Sequence, residues 1–231
     1  QEIKQKTGMP VSEAYGLTET ATVSHVNLSA FSRITGFMLK EKHGIGVPVP
    51  DLDCRLVDPQ TDKDAPEGSS GELWLRGPQI MLGYWPEAGS GLDADGWLHT
   101  GDIAIMDEDG YFQIIDRIKD MVNVSGMKVY TTEVDEVLFK HPAVQMAAAF
   151  GVPDSAHPGS ERVMAVVTLK NPGEQPASED ELRDFCRQHL APYAVPRQIE
   201  IWDELPLTVS EKVFKKQLRD QFIARQAPGK G

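Results

Sequence analysis

Asp116-Arg117-Ile118-Lys119-Asp120-Met121-Val122-Asn123-Val124-Ser125-Gly126-Met127-Lys128 separates two stretches of different character. Before it, short strand-like runs alternate with Gly-rich turns. After it come longer amphipathic helices and apolar strands. A junction between domains is normally polar and bland. This one sets three cations, two carboxylates and a glycine among strongly apolar residues, so it reads as a segment that grips something as well as joining two bodies. The fold class expected is α/β (α+β), with a hinge at residues 116–120.

Downstream, Thr132 to Lys140 reads as a helix with Val134, Val137 and Leu138 on one face, capped by Thr131 or Thr132. Val144 to Val152 and Arg162 to Leu169 read as buried strands around a polar loop from Asp154 to Glu161. Ser178 to Leu190 is a second helix, capped by Ser178, that turns Leu182, Phe185 and Leu190 inward. Ile199 to Trp202 is a strand. Leu205 to Lys212 is a loop feeding a last helix that buries Val213, Phe214, Leu218 and Phe222 and shows Lys215, Lys216 and Arg219 to water. Lys212 is expected in the first turn of that helix, where the macrodipole disfavours a cation; a surface lysine that tolerates the cost is the alternative. The tail from Gln226 to Gly231 reads as disordered.

Upstream, Gly44 to Ile115 reads as all-β. Asp53 to Asp58 and Gly71 to Arg76 are strands, Pro66-Glu67-Gly68 is a turn, and Asp107-Glu108-Asp109-Gly110 signals a hairpin into Tyr111 to Ile115. Strands at this spacing suggest a small barrel-like or sandwich unit. Asp102 follows Gly101 at an expected strand start, where a carboxylate can accept two hydrogen bonds from a sugar diol. Nearer the beginning, residues 1–10 read as a helix ended by Gly8 and Pro10, followed by a strand from Val11 to Ala14. That strand runs into Tyr15-Gly16-Leu17-Thr18-Glu19-Thr20. Glycine, hydroxyls and one carboxylate in such a place can meet phosphate and hold Mg²⁺, or they can be a Gly turn with an N-capping threonine.

The 231 residues, 40% of them hydrophobic, can build one large or two ordinary domains. A net charge of −12 argues against a nucleic-acid surface. Cys54 and Cys186 are far apart, no His pair has metal-ligand spacing, and neither a disulfide framework nor a His/Cys metal site can be read. Asn123-Val124-Ser125 matters as a glycosylation acceptor only in a secreted protein. No run approaches the roughly 18 apolar residues of a membrane helix, and the expectation is a soluble, cytoplasmic protein. Gln1 to Lys6 reads as a helix already under way, as in a piece of a longer chain.

Five motifs in order carry more than any one of them: Tyr-Gly-Leu-Thr-Glu-Thr, Gly-Glu-Leu-Trp-Leu-Arg-Gly, Gly-Trp-Leu-His-Thr-Gly-Asp, Asp-Arg-Ile-Lys-Asp with Val-Ser-Gly-Met-Lys-Val-Tyr, and Leu-Pro-Leu-Thr-Val-Ser-Glu-Lys. In this order and at these separations the chain resembles the adenylate-forming superfamily of acyl-CoA synthetases, peptide-synthetase adenylation domains and luciferases, and is most like a fatty-acid CoA ligase. The resemblance implies that residues 1–43 end an N-terminal α/β subdomain, 44–116 form the barrel-like subdomain and 117–231 a mobile C-terminal lid. It implies that Tyr15 stacks on adenine, Gly16 is part of the nucleotide-binding set, Thr18 touches phosphate, Glu19 holds Mg²⁺, and Asp102, with Arg117 assisting, binds the ribose hydroxyls of ATP. Lys119 matches the hinge, Gly126 the lining of the coenzyme A arm, and Lys212 the lysine that bridges the acid's carboxylate and the α-phosphate.

Two residues depart from the family pattern: Glu211 stands where Gly usually precedes the lysine, and Thr131 where Pro is common. The family's phosphate loop and acyl pocket lie upstream of the tyrosine motif, so these residues alone are expected to be inactive. The implied activity is ATP-dependent ligation of a carboxylic acid, fatty or related, to coenzyme A. An aryl-acid or carnitine-like ligase, a carrier-loading adenylation domain, and a non-catalytic nucleotide-binding or interaction module remain open, as does the oligomeric state.

Overall fold

The computed structural model describes residues 12–28, 42–170, 173, 177–209 and 211–226. The helix expected over residues 1–10 and the tail from 227 onward lie outside the described residues. The chain folds as two compact units, Gln1–Ile118 and Lys119–Gly231.

In the first unit, β1 (Ala14–Tyr15), β2 (His25–Val26) and β3 (Val47–Pro48) form a small antiparallel sheet. Then β4 (Asp53–Asp58), β5 (Lys63–Asp64), β6 (Gly71–Arg76), β7 (Leu98–Met106) and β8 (Phe112–Arg117) form an antiparallel sheet in the order β5-β4-β6-β7-β8. Among the described residues no pairing of β5 with β8 closes it into a barrel. The period-two alternation of β6 explains its place in the middle. Leu73 and Leu75 are fully buried against Ile45, Leu52, Leu98 and Phe112 on one face, each burial worth about 2 kcal/mol. On the other face Trp74 packs with Val57 and Trp97. The hairpin signal is met: Asp107 Oδ1 accepts the Asp109 and Tyr111 N–H groups, and Gly110 takes φ +80°.

In the second unit, β9 (Val122–Val124) and β10 (Met127–Val129) make a tight hairpin, followed by α1 (Thr131–Phe139), β11 (Val144–Pro153), β12 (Glu161–Leu169), α2 (Glu179–His189), β13 (Gln198–Ile201) and α3 (Lys215–Gln226). β11 and β12 pair antiparallel; β12 and β13 pair parallel, with α2 in the crossover. Both faces of this sheet are covered, which is why its strands read as continuous apolar runs. Ala147, Ala149, Val163 and Val167 pack with Val134, Leu138 and Leu182. Ala148, Phe150, Met164 and Val166 pack with Leu218 and Phe222. Ser178 caps α2 as expected, its hydroxyl accepting the Glu181 N–H at 3.1 Å.

Three expectations need correction here. The residue before α1 is Tyr130, with no side-chain cap; the Thr131 hydroxyl is turned inward and accepts from Lys215 Nζ at 2.8 Å. The last helix starts at Lys215, so Lys212 precedes it and the macrodipole argument does not apply. Instead Leu207 bridges Val213 and the Thr208 N–H donates to the Lys212 carbonyl at 2.7 Å, which closes a small hairpin loop. Leu218 and Phe222 are buried as expected, but two residues at the start differ. Lys215, three residues before the buried Leu218, turns inward to Asp135 Oδ2 at 2.8 Å, while Phe214 is exposed.

Candidate functional site

Three candidate residues of the first unit, Tyr15, Asp102 and Arg117, converge. The Tyr15 hydroxyl donates to Asp102 Oδ2 at 2.5 Å, and Arg117 Nε lies 3.0 Å from Asp102 Oδ1. Asp102 is only 3% exposed, so both its oxygens are held where the sheet meets the β1 turn. β-sheet register explains the second contact, because Asp102 on β7 faces Arg117 on β8. Burial first, and then the bond to Asp102, raise the Tyr15 phenol far above its usual range. It therefore stays a donor at any physiological pH.

Asp102 lies inside β7 rather than at a strand start. What resembles a start is a bulge. Glu72 pairs with Ile103 and Trp74 with His99, which leaves Thr100, Gly101 and Asp102 opposite Leu73 alone. Gly101 takes φ +72° there, with open space where a Cβ would stand, so the backbone conformation is what selects glycine.

Thr18–Thr20 forms one 3₁₀ turn after β1. The Thr20 hydroxyl is buried and bonded to the Leu17 backbone in both directions. Thr20 therefore closes the turn, and Thr18 is exposed, with no hydroxyl partner among the described residues. Gly16 is fixed by close approach, since a Cβ would overlap the Thr22 carbonyl. Glu19 is anchored by a residue sequence reasoning did not select: the Tyr84 hydroxyl donates to Glu19 Oε1 at 2.6 Å. That bond, ahead of a backbone bond, holds the Glu19 carboxyl below the usual carboxylate range.

In the second unit, Ser125 and Gly126 form the β9–β10 turn with φ +51° and +89°, the signature of a type I′ hairpin. The turn is braced, because Gly126 N–H donates to Asn123 Oδ1 at 2.8 Å and Ser125 N–H to Ser160 Oγ at 2.9 Å. A Cβ on Gly126 would meet nothing within 4 Å. Lys212 is exposed beside the Leu207–Val213 bridge, its N–H bonded to Thr208 Oγ1 at 3.2 Å. Glu211, beside it, has φ +61°, the left-handed conformation in which glycine is at ease and glutamate is strained. Lys119 lies in a turn at the start of the second unit.

Residues 1–85 match the model of the AMP-binding enzyme family, and residues 133–212 match the AMP-binding enzyme C-terminal domain. The chain belongs to the AMP-binding enzymes. It is 44% identical over 217 residues to a long-chain-fatty-acid–CoA ligase of Salmonella typhimurium, covering 93% of this chain and 36% of the relative. It is 40% identical to the ligase of the same description from Bacillus subtilis, covering 95% of this chain and 38% of that one. The chain thus spans little more than a third of the curated relatives it matches. Among solved structures, ATP-bound MatB from Rhodopseudomonas palustris superposes with a TM-score of 0.83 at 31% identity, covering 96% of this chain and 42% of that one. O-succinylbenzoate coenzyme A synthetase from Bacillus subtilis, in complex with ATP and magnesium ion, gives 0.78 at 29% identity, over 95% of this chain and 43% of that chain. The mixed, sheet-dominated α/β fold of this chain matches the part of those structures that it covers.

Proposed function

We propose that the protein containing this chain is an AMP-forming acid–coenzyme A ligase acting on long-chain fatty or related acids. The observation that carries the reading is the buried Asp102 held between Tyr15 and Arg117, together with identity to fatty-acid ligases along almost the whole chain. A carboxylate fixed by a phenol and a guanidinium suits a ribose diol, and the Tyr15 ring beside it offers a face for adenine.

In the first half-reaction the acid's carboxylate attacks the α-phosphorus of ATP, and pyrophosphate leaves. Thr18 donates to phosphate, and Lys212 bridges the acid and the α-phosphate, neutralising charge that builds as the bond to pyrophosphate breaks. Glu19 would hold Mg²⁺. No group of three or more His, Cys, Asp or Glu side chains suited to a metal gathers among the described residues, but one ionised carboxylate completed by phosphate oxygens and water is an ordinary Mg²⁺ arrangement. The ion would supply further neutralisation of the phosphates.

In the second half-reaction the coenzyme A thiol attacks the acyl carbonyl and AMP leaves. The second unit acts as a lid that turns about Lys119, exchanging the Lys212 hairpin for the Gly126 turn, whose bare Cα leaves room for a pantetheine arm. The boundary between units at Ile118–Lys119 supports that pivot. ATP and coenzyme A as co-substrates favour the cytoplasm as its place of action. ATP–pyrophosphate exchange by the full-length protein, assayed across fatty, aryl and short-chain acids, tests the reading. Exchange dependent on long-chain acids is expected; no exchange with any acid would overturn it in favour of a nucleotide-binding module.

A further inference from the structure

We infer that Glu72 is a positioning residue for the nucleotide site: it holds the β7 bulge that presents Asp102. The inference rests on the ribose reading of Asp102 and goes one layer behind it. Glu72 is 8% exposed, and among the described residues it has no cationic partner. A carboxylate buried without a countercharge is costly unless its oxygens are fully bonded. Both are used: Oε1 accepts the Gly101 N–H at 2.9 Å, and Oε2 accepts the Trp74 indole N–H at 2.8 Å.

The first bond decides the geometry. Gly101 is the middle residue of the bulge, so its N–H has lost the strand partner it would have in a regular ladder. Glu72 supplies the acceptor from the neighbouring strand. A second brace completes the bulge: the Thr100 hydroxyl donates to the Leu73 carbonyl at 2.7 Å and accepts the Asp102 N–H at 3.1 Å. On the far side the Gly101 carbonyl accepts the Ile118 N–H at 2.9 Å. Trp74, stacked on His99 at a ring separation of 3.7 Å, fixes the other oxygen of Glu72 and so its rotamer. Asp102 therefore reaches Tyr15 and Arg117 because three residues occupy the space of one, and Glu72 is the side chain that makes that arrangement satisfiable.

The test is ribose discrimination, the ratio of kcat/KM for ATP to that for 2′-deoxy-ATP and 3′-deoxy-ATP, measured in the full-length protein. A merely structural glutamate would lower all three together. Asp102→Asn is the control and should collapse the ratios. Glu72→Ala should lower them by about tenfold, the worth of a hydrogen bond to a charged group, while KM for the acid stays unchanged. Glu72→Gln, able to accept only one of the two bonds, should fall between Glu72→Ala and the wild type, and it decides the matter if Glu72→Ala does not fold. Wild-type ratios in Glu72→Ala or Glu72→Gln, alongside a collapsed ratio in Asp102→Asn, would overturn the role of Glu72 alone. Unchanged ratios in Asp102→Asn would overturn the ribose reading and this inference with it.

Discussion

Tyr84 and Glu19, 65 positions apart, are joined by a 2.6 Å hydrogen bond from phenol to carboxylate. The Met81 N–H donates to the Glu19 carbonyl at 2.8 Å as well, so the 81–84 segment holds both ends of this residue. Replacing Tyr84 by Phe should leave the fold intact and raise the Mg²⁺ concentration needed for half-maximal pyrophosphate exchange several-fold. The pH dependence has a definite sign. A depressed carboxyl keeps its charge above its unfolded pKa and loses it only as pH falls through the lower folded value. Without the Tyr84 hydroxyl that loss moves to higher pH, so the acid limb of the Tyr84→Phe activity profile should shift upward. An unshifted limb would mean that Glu19 does not govern it.

Glu211 carries a left-handed backbone, φ +61°, next to Lys212. Glycine there should relieve about 1 kcal/mol of strain and raise Tm by roughly 2–4 °C, read by thermal denaturation. Glutamine keeps the side-chain strain of this conformation and removes only the charge. Adenylation that rises equally in Glu211→Gly and Glu211→Gln would trace the effect to the carboxylate; a rise in Glu211→Gly alone would trace it to the backbone.

At Gly126 the turn and the proposed thiol path can be separated. Ala is strained at φ +89°, by about 1 kcal/mol or more, whereas Asn accepts the conformation and places atoms in the open space beside the Cα. Gly126→Asn should keep wild-type stability and adenylation yet slow thioester formation, measured as coenzyme A-dependent release of AMP. Undiminished thioester formation would remove Gly126 from the thiol path.

Lys215 Nζ joins Asp135 and Thr131 at 2.8 Å each, and Asp135 Oδ1 accepts the Ala149 N–H, so the network ties α3 to α1 and to β11. Lys215→Met should destabilise by up to about 3 kcal/mol, because a largely buried carboxylate loses its cation. Adding Asp135→Leu should recover part of this in chemical denaturation. Full additivity of the two losses would contradict the pairing.

The strands β4 and β6 were legible to the residue, since six-residue alternating runs bounded by Gly and Pro leave little choice of register. Ser178 was legible because capping is local. The start of the last helix was not. Val213 and Phe214 look like the opening of an apolar helical face, but the bridge from Leu207 to Val213 holds that segment in a hairpin. Glu72 and Tyr84 were missed for a related reason. Their partners lie 29 and 65 positions away, and a lone glutamate in a strand or tyrosine in a turn carries no sign of such a contact. Glu72 did leave one trace, as the sole carboxylate in the run Gly71 to Leu75.

The most direct test is Lys212→Ala with the two half-reactions assayed apart. ATP–pyrophosphate exchange should fall roughly a hundredfold or more, the usual loss when a charge-stabilising donor is removed. Conversion of preformed acyl-adenylate and coenzyme A to thioester and AMP should stay within a few-fold of wild type. Equal loss of both half-reactions, or exchange at the wild-type rate, would contradict the two-pose cycle and the place of Lys212 in it.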